Sequence, residues 1–232
     1  MVAHGADYNA QILAQLQSLP QGGMYGANRL AMERFTSAVG IKNGALSVQA
    51  TGAIPSFCSE ATYLVFLKVI AAQSAVLNLE PATRDALLVR GQPDGQGVWG
   101  RWNANGPGTA RLFHELGLGR NFEDFNQARP GDFMKIFWSN EVGSRERGHS
   151  VVFLGREQRD GVEMVRFWSS NIPAGYGEKT VPRSKIGYAI FSRLEHPEAL
   201  HRLPALPQSD SYLARLTAIR SSVSEVRAMA GM

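Results

Sequence analysis

Apolar residues at positions 8, 12, 13, 16 and 19 follow helical spacing and predict a helix over residues 7–19. Asp7 is its expected cap, and Pro20 with Gly22-Gly23 ends it. A second helix is expected over 27–38, stopped by Gly40, and residues 41–54 read as a loop or short strand. From Glu60 to Ala72 the chain has neither Pro nor Gly and is apolar on nearly every face. That pattern belongs to a helix buried inside a domain. Pro55 stops any preceding helix, and Ser56 or Ser59 can cap the new one. Shorter helices are expected at about 81–89, with Pro81 in the first turn, and at 109–116, ended by Gly117.

Beyond Gly117 the period changes. Runs at 134–138, 150–154, 163–168 and 186–191 are short, apolar or alternating, and bounded by turn residues, which predicts four strands. Arg159-Asp-Gly161 is the expected hairpin turn between the second and third. Helices followed by a meandering sheet imply an α+β fold with an antiparallel sheet. The end of the chain, from Asp210 to about Met229, reads as one amphipathic helix with apolar positions at 212, 213, 216, 219, 223 and 226. The expectation is one domain over 1–232, with a core at about 41–194 and helical extensions at 1–40 and 195–232.

Composition narrows the classes. A hydrophobic fraction of 44% with 19% charged residues is ordinary for a globular chain, so neither disorder nor a fibrous class is indicated. No 18-residue uncharged apolar run exists, so no membrane span is expected. The first residues, Met-Val-Ala-His-Gly-Ala-Asp, show no signal peptide, which leaves a removed signal or non-classical export for an exported protein. The net charge of +4 is spread along the chain without a block of like charges, so no nucleic-acid arm is expected. A single cysteine excludes an internal disulfide framework and a cysteine-rich zinc site. Neither a metal nor a cofactor is called for.

That one cysteine, Cys58, falls at the start of the buried helix. Free amide N–H groups and the positive end of the helix dipole stabilise a thiolate there. Of the histidines, His4 sits near the terminus, His114 in a helix, and His196 and His201 in a Pro-flanked connection. His149 follows Gly148 at the head of the second strand, where it is held rigidly yet exposed at the sheet edge, as a general base should be. An imidazole base needs an acceptor for its other nitrogen. Antiparallel pairing of the second and third strands brings Asn171 beside His149, or Ser169 if the register differs. The irregular, Gly-rich stretch 91–109 carries Trp99 and Trp102, which suit either a cleft wall that stacks on a ligand or the core.

Several of these segments resemble the NlpC/P60 and CHAP cysteine peptidases and amidases. Phe57-Cys-Ser59 opening a buried helix is similar to their nucleophile segment, and Arg129-Pro-Gly-Asp132 to their Pro-Gly-Asp turn. Gly148-His-Ser-Val-Val-Phe-Leu-Gly155 is similar to their histidine strand, and Phe167-Trp-Ser-Ser-Asn171 to the following CHAP strand. The resemblance covers roughly residues 54–192. Phe57 stands where Asp is frequent, Glu60 where Gly usually follows, and Ser169 at the CHAP glutamate position. The resemblance implies a papain-like fold and cleavage of an amide bond in bacterial peptidoglycan peptides. Cys58 would be the nucleophile, His149 the base, and Asn171 or Ser169 the third member. Gln49 is the expected second oxyanion donor beside the Cys58 N–H, with Ser59, Trp99 and Trp102 as substrate contacts. Such an enzyme would work in the periplasm or outside the cell, as a housekeeping hydrolase or as a delivered toxin with an immunity protein as its inhibitor partner. An acyltransferase or protein peptidase on the same fold, or a non-catalytic binding module, are the alternatives.

Overall fold

The computed structural model describes residues 7–232. It is an α+β structure whose centre is a seven-stranded antiparallel sheet. In chain order the strands are β1 (Gly22–Gly23), β2 (Gly119–Phe122), β3 (Phe133–Phe137), β4 (His149–Arg159), β5 (Val162–Asn171), β6 (Gly175–Pro182) and β7 (Tyr188–Leu194). Across the sheet they run β1-β6-β5-β4-β3-β7-β2. The β4–β5 hairpin turns at Asp160-Gly161, both with positive φ, the twist that matches two right-handed strands.

Three helices set the site: α1 (Tyr8–Gln17), α2 (Arg29–Ala38) and α3 (Cys58–Ala72). Asp7 caps α1 by accepting from the Ala10 N–H. The apolar circumference of α3 has the meaning expected of it, since Ala61 and Tyr63 through Leu67 are all buried. On one side of the sheet α3 packs with Trp99, Trp102, Phe133, Val152 and Trp168. The alternate residues of the same strands, among them Met134, Ile136, Val151, Phe153 and Phe167, build a second apolar cluster with Phe125 and Phe191. Both faces of the central strands are therefore buried, and the alternation of β3 is masked in the sequence.

The structure departs from the sequence reading in three places. Residues 97–103 of the irregular stretch form a helix, with Gly100 in it because a Cβ would meet the Pro93 carbonyl at 2.1 Å. Residues 22–23, 119–122 and 175–182 add three strands to the four expected in the central sheet. The C-terminal helix is two helices, Ser211–Arg215 and Val223–Met229, separated by a short pairing of Arg220–Ser221 with Val142–Gly143. Ser222 caps the second by accepting from the Glu225 N–H, a local signal that restarts the helix. No helix among the described residues is long and apolar enough to cross a membrane.

Candidate active site

The extended backbone of Phe57 turns into α3 at Cys58, so the thiol sits on the first helical residue, at the positive end of the dipole. The loop before it is fastened to the sheet by buried bonds. Ser56 Oγ donates to Ser170 Oγ at 2.8 Å, Ser170 Oγ donates to the Ser56 carbonyl at 2.9 Å, and Tyr176 Oη donates to the Ala53 carbonyl at 2.8 Å. Cys58 is partly exposed and lines a cavity of about 620 Å³.

His149 opens β4, and β5 ends at Asn171. Val152 pairs with Trp168, and the antiparallel register carried three residues on brings His149 opposite Asn171. His149 Nε2 lies 3.3 Å from Asn171 Oδ1. The Asn171 amide nitrogen donates to the carbonyls of Gly177 (2.8 Å) and Ser169 (3.2 Å), which turns the oxygen toward the imidazole. In the neutral ring Nε2 therefore carries the hydrogen, and Nδ1 is left as the acceptor. The imidazole is the neighbour that does most to lower the pKa of the Cys58 thiol. Trp138, partly exposed, stacks over the His149 ring at 6.2 Å, and Phe167 meets it edge-on at 5.8 Å.

These contacts decide the thiol's acidity. Burial pushes its pKa up from 9.0, but the hydrogen bond with His149, the charges of His149 and Lys135, and the Ser150 N–H outweigh it and bring it down to about 7. A thiol at that value is substantially ionised near neutral pH and still strongly nucleophilic. Behind it, the Oε1 of the fully buried Glu60 carboxyl lies 3.3 Å from Tyr176 Oη, and its Oε2 has no partner among the described residues. Burial raises its pKa to about 9, so it is a neutral acid at pH 7.

Several expected contacts fall elsewhere. Ser169 is fully buried and donates to the Ser150 carbonyl at 2.7 Å, pinning the strand pair, and Asn171 alone meets His149. Gln49 is exposed and does not line the Cys58 cavity; its backbone N–H is spent on the Ala38 carbonyl. A short 3-10 turn, Ala50–Gly52, follows it in the nine-residue interval before Cys58. Trp99 and Trp102 are 1% and 0% exposed and cluster with Phe35, Tyr63, Phe66 and Phe133. They hold α3 rather than a ligand. Ser59 does line the cavity, although its hydroxyl donates to Asn103 Oδ1 at 2.6 Å. His114, His196 and His201 lie away from the cavity, and His4 is outside the described residues.

Other residues on the cavity wall had no motif to announce them. Asn103 donates to Asp94 Oδ1 at 3.0 Å, and the Asn105 N–H donates to Asp94 Oδ2 at 3.2 Å. All three come from the irregular stretch around the two tryptophans, so the stretch faces the site through its polar residues. Lys135, Arg147 and Tyr25 complete this side. Burial raises the Tyr25 pKa to about 12, helped by the charge of Cys58 and opposed by Arg147, so its hydroxyl keeps its proton. Among the described residues no three His, Cys, Asp or Glu side chains gather as a metal site would require. Comparison with protein-family models, with curated proteins and with solved structures finds no match for this chain.

Proposed function

We propose that this protein is a cysteine hydrolase of papain-like architecture that cleaves an amide bond in bacterial peptidoglycan peptides. The observation that carries the reading is the grouping of a thiol at a helix N-terminus, an imidazole whose influence lowers the thiol's pKa, and an amide oxygen 3.3 Å from the imidazole Nε2. The resemblance of residues 54–192 to NlpC/P60 and CHAP enzymes supplies the substrate class. Such a substrate places the site of action in the periplasm or outside the cell.

In this mechanism His149 Nδ1 takes the Cys58 proton and the thiolate adds to the amide carbonyl carbon. The carbonyl electron pair moves to oxygen, where the Cys58 N–H receives it. Tyr25, which faces Cys58 from the cavity wall and remains protonated, is the second donor in place of Gln49. Imidazolium then gives its proton to the leaving nitrogen as the C–N bond breaks and a thioester forms. Water, deprotonated by His149, attacks the thioester and releases the acid and the free thiol. Asn171 is a positioning residue, since it holds the ring in the tautomer and orientation both proton transfers use.

The test is digestion of purified peptidoglycan by the wild-type chain and by Cys58→Ala, with products read by mass spectrometry. Soluble muropeptides from the wild type alone are expected, and their masses identify the bond. Equal behaviour of the two proteins across several wall types overturns the reading.

A further inference from the structure

Lys135 is the most unusual residue of the cleft. It sits in the middle of β3, opposite Ser150 of the histidine strand, and is only 5% exposed. A central strand position normally holds an apolar side chain, and lysine is almost never buried unless paired. Its ammonium donates to one protein acceptor, the Ala104 carbonyl at 3.3 Å, and lines the Cys58 cavity. The two carboxylates whose charges reach it, Asp94 and Glu146, form no ion pair with it. Asp94 accepts from Asn103 and the Asn105 N–H, and Glu146 accepts from the Trp138 and Gly148 N–H groups at 3.1 Å each.

The fold also keeps room for this side chain. Gly148, immediately before the histidine, has φ +84°, and a Cβ there would come within 2.6 Å of Lys135 Cε and 3.1 Å of its Cγ. The lysine stem thus lies against the backbone that positions His149. Arg147 lines the same cavity from its exposed rim and forms no ion pair among the described residues. A buried cation with donors to spare, and a second cation at the mouth, face the space beside the nucleophile.

We propose that Lys135, with Arg147 at the rim, forms an anion subsite beside Cys58, and that the substrate carries a free carboxylate next to the scissile amide. This rests on the hydrolase reading for the word substrate, but the subsite itself does not depend on turnover. It gives the cleft a polarity: the carboxylate-bearing residue seats on the Lys135 side, while Trp138 covers the His149 side. Lys135 is then a specificity-determining residue.

Because Cys58 is the chain's single cysteine, its alkylation reports on this site alone. Iodoacetate and iodoacetamide both lose iodide to the thiolate and differ by one negative charge. The measurement is their rate ratio on the full chain at neutral pH. In the wild type the iodoacetate-to-iodoacetamide ratio is expected about tenfold above that of a thiol free in solution, the local enrichment a charged cleft gives. Lys135→Met should bring it back toward the free-thiol value, and Arg147→Gln should lower it part of the way. The His149→Gln variant separates the imidazolium's share. Arg147 is exposed, so its variant decides the matter even if Lys135→Met does not fold. A wild-type ratio equal to that of a free thiol, or a ratio that neither variant moves, overturns the subsite. Sluggish iodoacetamide labelling at neutral pH instead counts against the nucleophile, and leaves the ratio readable. Peptidoglycan whose carboxylates have been converted to amides should be cut about tenfold more slowly by the wild type, and no more slowly than untreated material by Lys135→Met. Equal cleavage of both materials by the wild type overturns the substrate half of the proposal.

Discussion

The two sides of the Cys58 cleft are built differently. On the side that carries Cys58 and His149, the supporting groups are anchored mainly on backbone: Asn171 on the Gly177 and Ser169 carbonyls, Tyr176 on Ala53, Ser170 on Ser56. On the facing side, the buried Ser59 and the partly exposed Asn103 and Asp94 hold one another side chain to side chain. Backbone-anchored groups keep their place when a neighbour is changed, whereas a chain of side chains shifts as a unit. The first side suits proton transfer, which needs reacting atoms within a few tenths of an ångström. The second suits selection among ligands. Changes to the first should therefore fall on kcat, and changes to the second on KM.

The sharpest separation comes from the base. His149→Ala removes both the proton acceptor of the proposed mechanism and the group that most lowers the thiol's pKa. A loss of about 10³-fold or more in kcat is expected, within the range for general acid–base catalysis. The thiol's pKa should also rise from about 7 toward its ordinary value of 9.0. The sign is that a depressed thiol pKa places thiolate at lower pH, so wild-type iodoacetamide labelling should rise through pH 7. The His149→Ala profile should lie to the alkaline side of it. Coincident profiles would show that the two groups do not interact.

Asn171 gives the next effect. Asn171→Ala leaves the acid and base in place but frees the ring, and misplacement by an ångström is worth about 10²-fold in kcat. Asn171→Asp keeps an oxygen toward Nε2 and should recover most of that loss, a rescue that a purely structural role would not produce. On the facing side, Asn103→Ala cuts the link between Ser59 and Asp94. About a tenfold rise in KM is expected with kcat little changed, the cost of roughly one hydrogen bond. A loss in kcat of the same size as that of Asn171→Ala would erase the difference between the two sides.

Much of the chemical side was legible in the sequence because its signals are local. A cysteine before an uninterrupted apolar run, and a histidine after a glycine at a strand head, need no knowledge of distant contacts. Asn171 followed from the register, since the Asp160-Gly161 turn fixes which residues face each other. Ser169 was set aside only by the observed pairing, because a shift of two residues would have put it opposite His149 in place of Asn171. The facing side was harder to read. Gly97 and Gly100 made the stretch look like a loop, yet Gly100 is small because a carbonyl lies against it. Its conspicuous tryptophans went to the core and its plain asparagines to the cavity. Lys135 was hidden inside an apolar strand pattern, where period alone cannot say that one member is a cation. Gln49 is off the cavity wall, with a 3-10 turn between it and Cys58 that composition does not show. The break in the C-terminal helix did carry a signal, the Ser222-x-x-Glu225 capping box, but uninterrupted amphipathic spacing overrode it.

The smallest effect on activity should come from Glu60, which belongs to the chemical side without taking part in the chemistry. Its carboxyl is neutral at pH 7, so Glu60→Gln keeps the shape and a polar partner for Tyr176 Oη. kcat is expected to stay within about twofold at that pH, since an isosteric amide removes no charge from the site. Stability should separate the two proteins instead. The folded pKa of about 9 lies above the ordinary 4.5, so the native state holds its proton more tightly than the unfolded chain does. The wild type is then favoured most below pH 4.5 and loses that advantage progressively as pH rises through about 9. Glu60→Gln has no such proton to lose. Denaturant unfolding at a series of pH values should show the variant gaining on the wild type between pH 5 and 9, by on the order of a few kcal/mol at the alkaline end. Parallel pH profiles would mean that the carboxylate is charged and paired in the native state. The loop ahead of Cys58 would then be held by a charge, and the nucleophile would sit beside a second anion rather than a neutral acid.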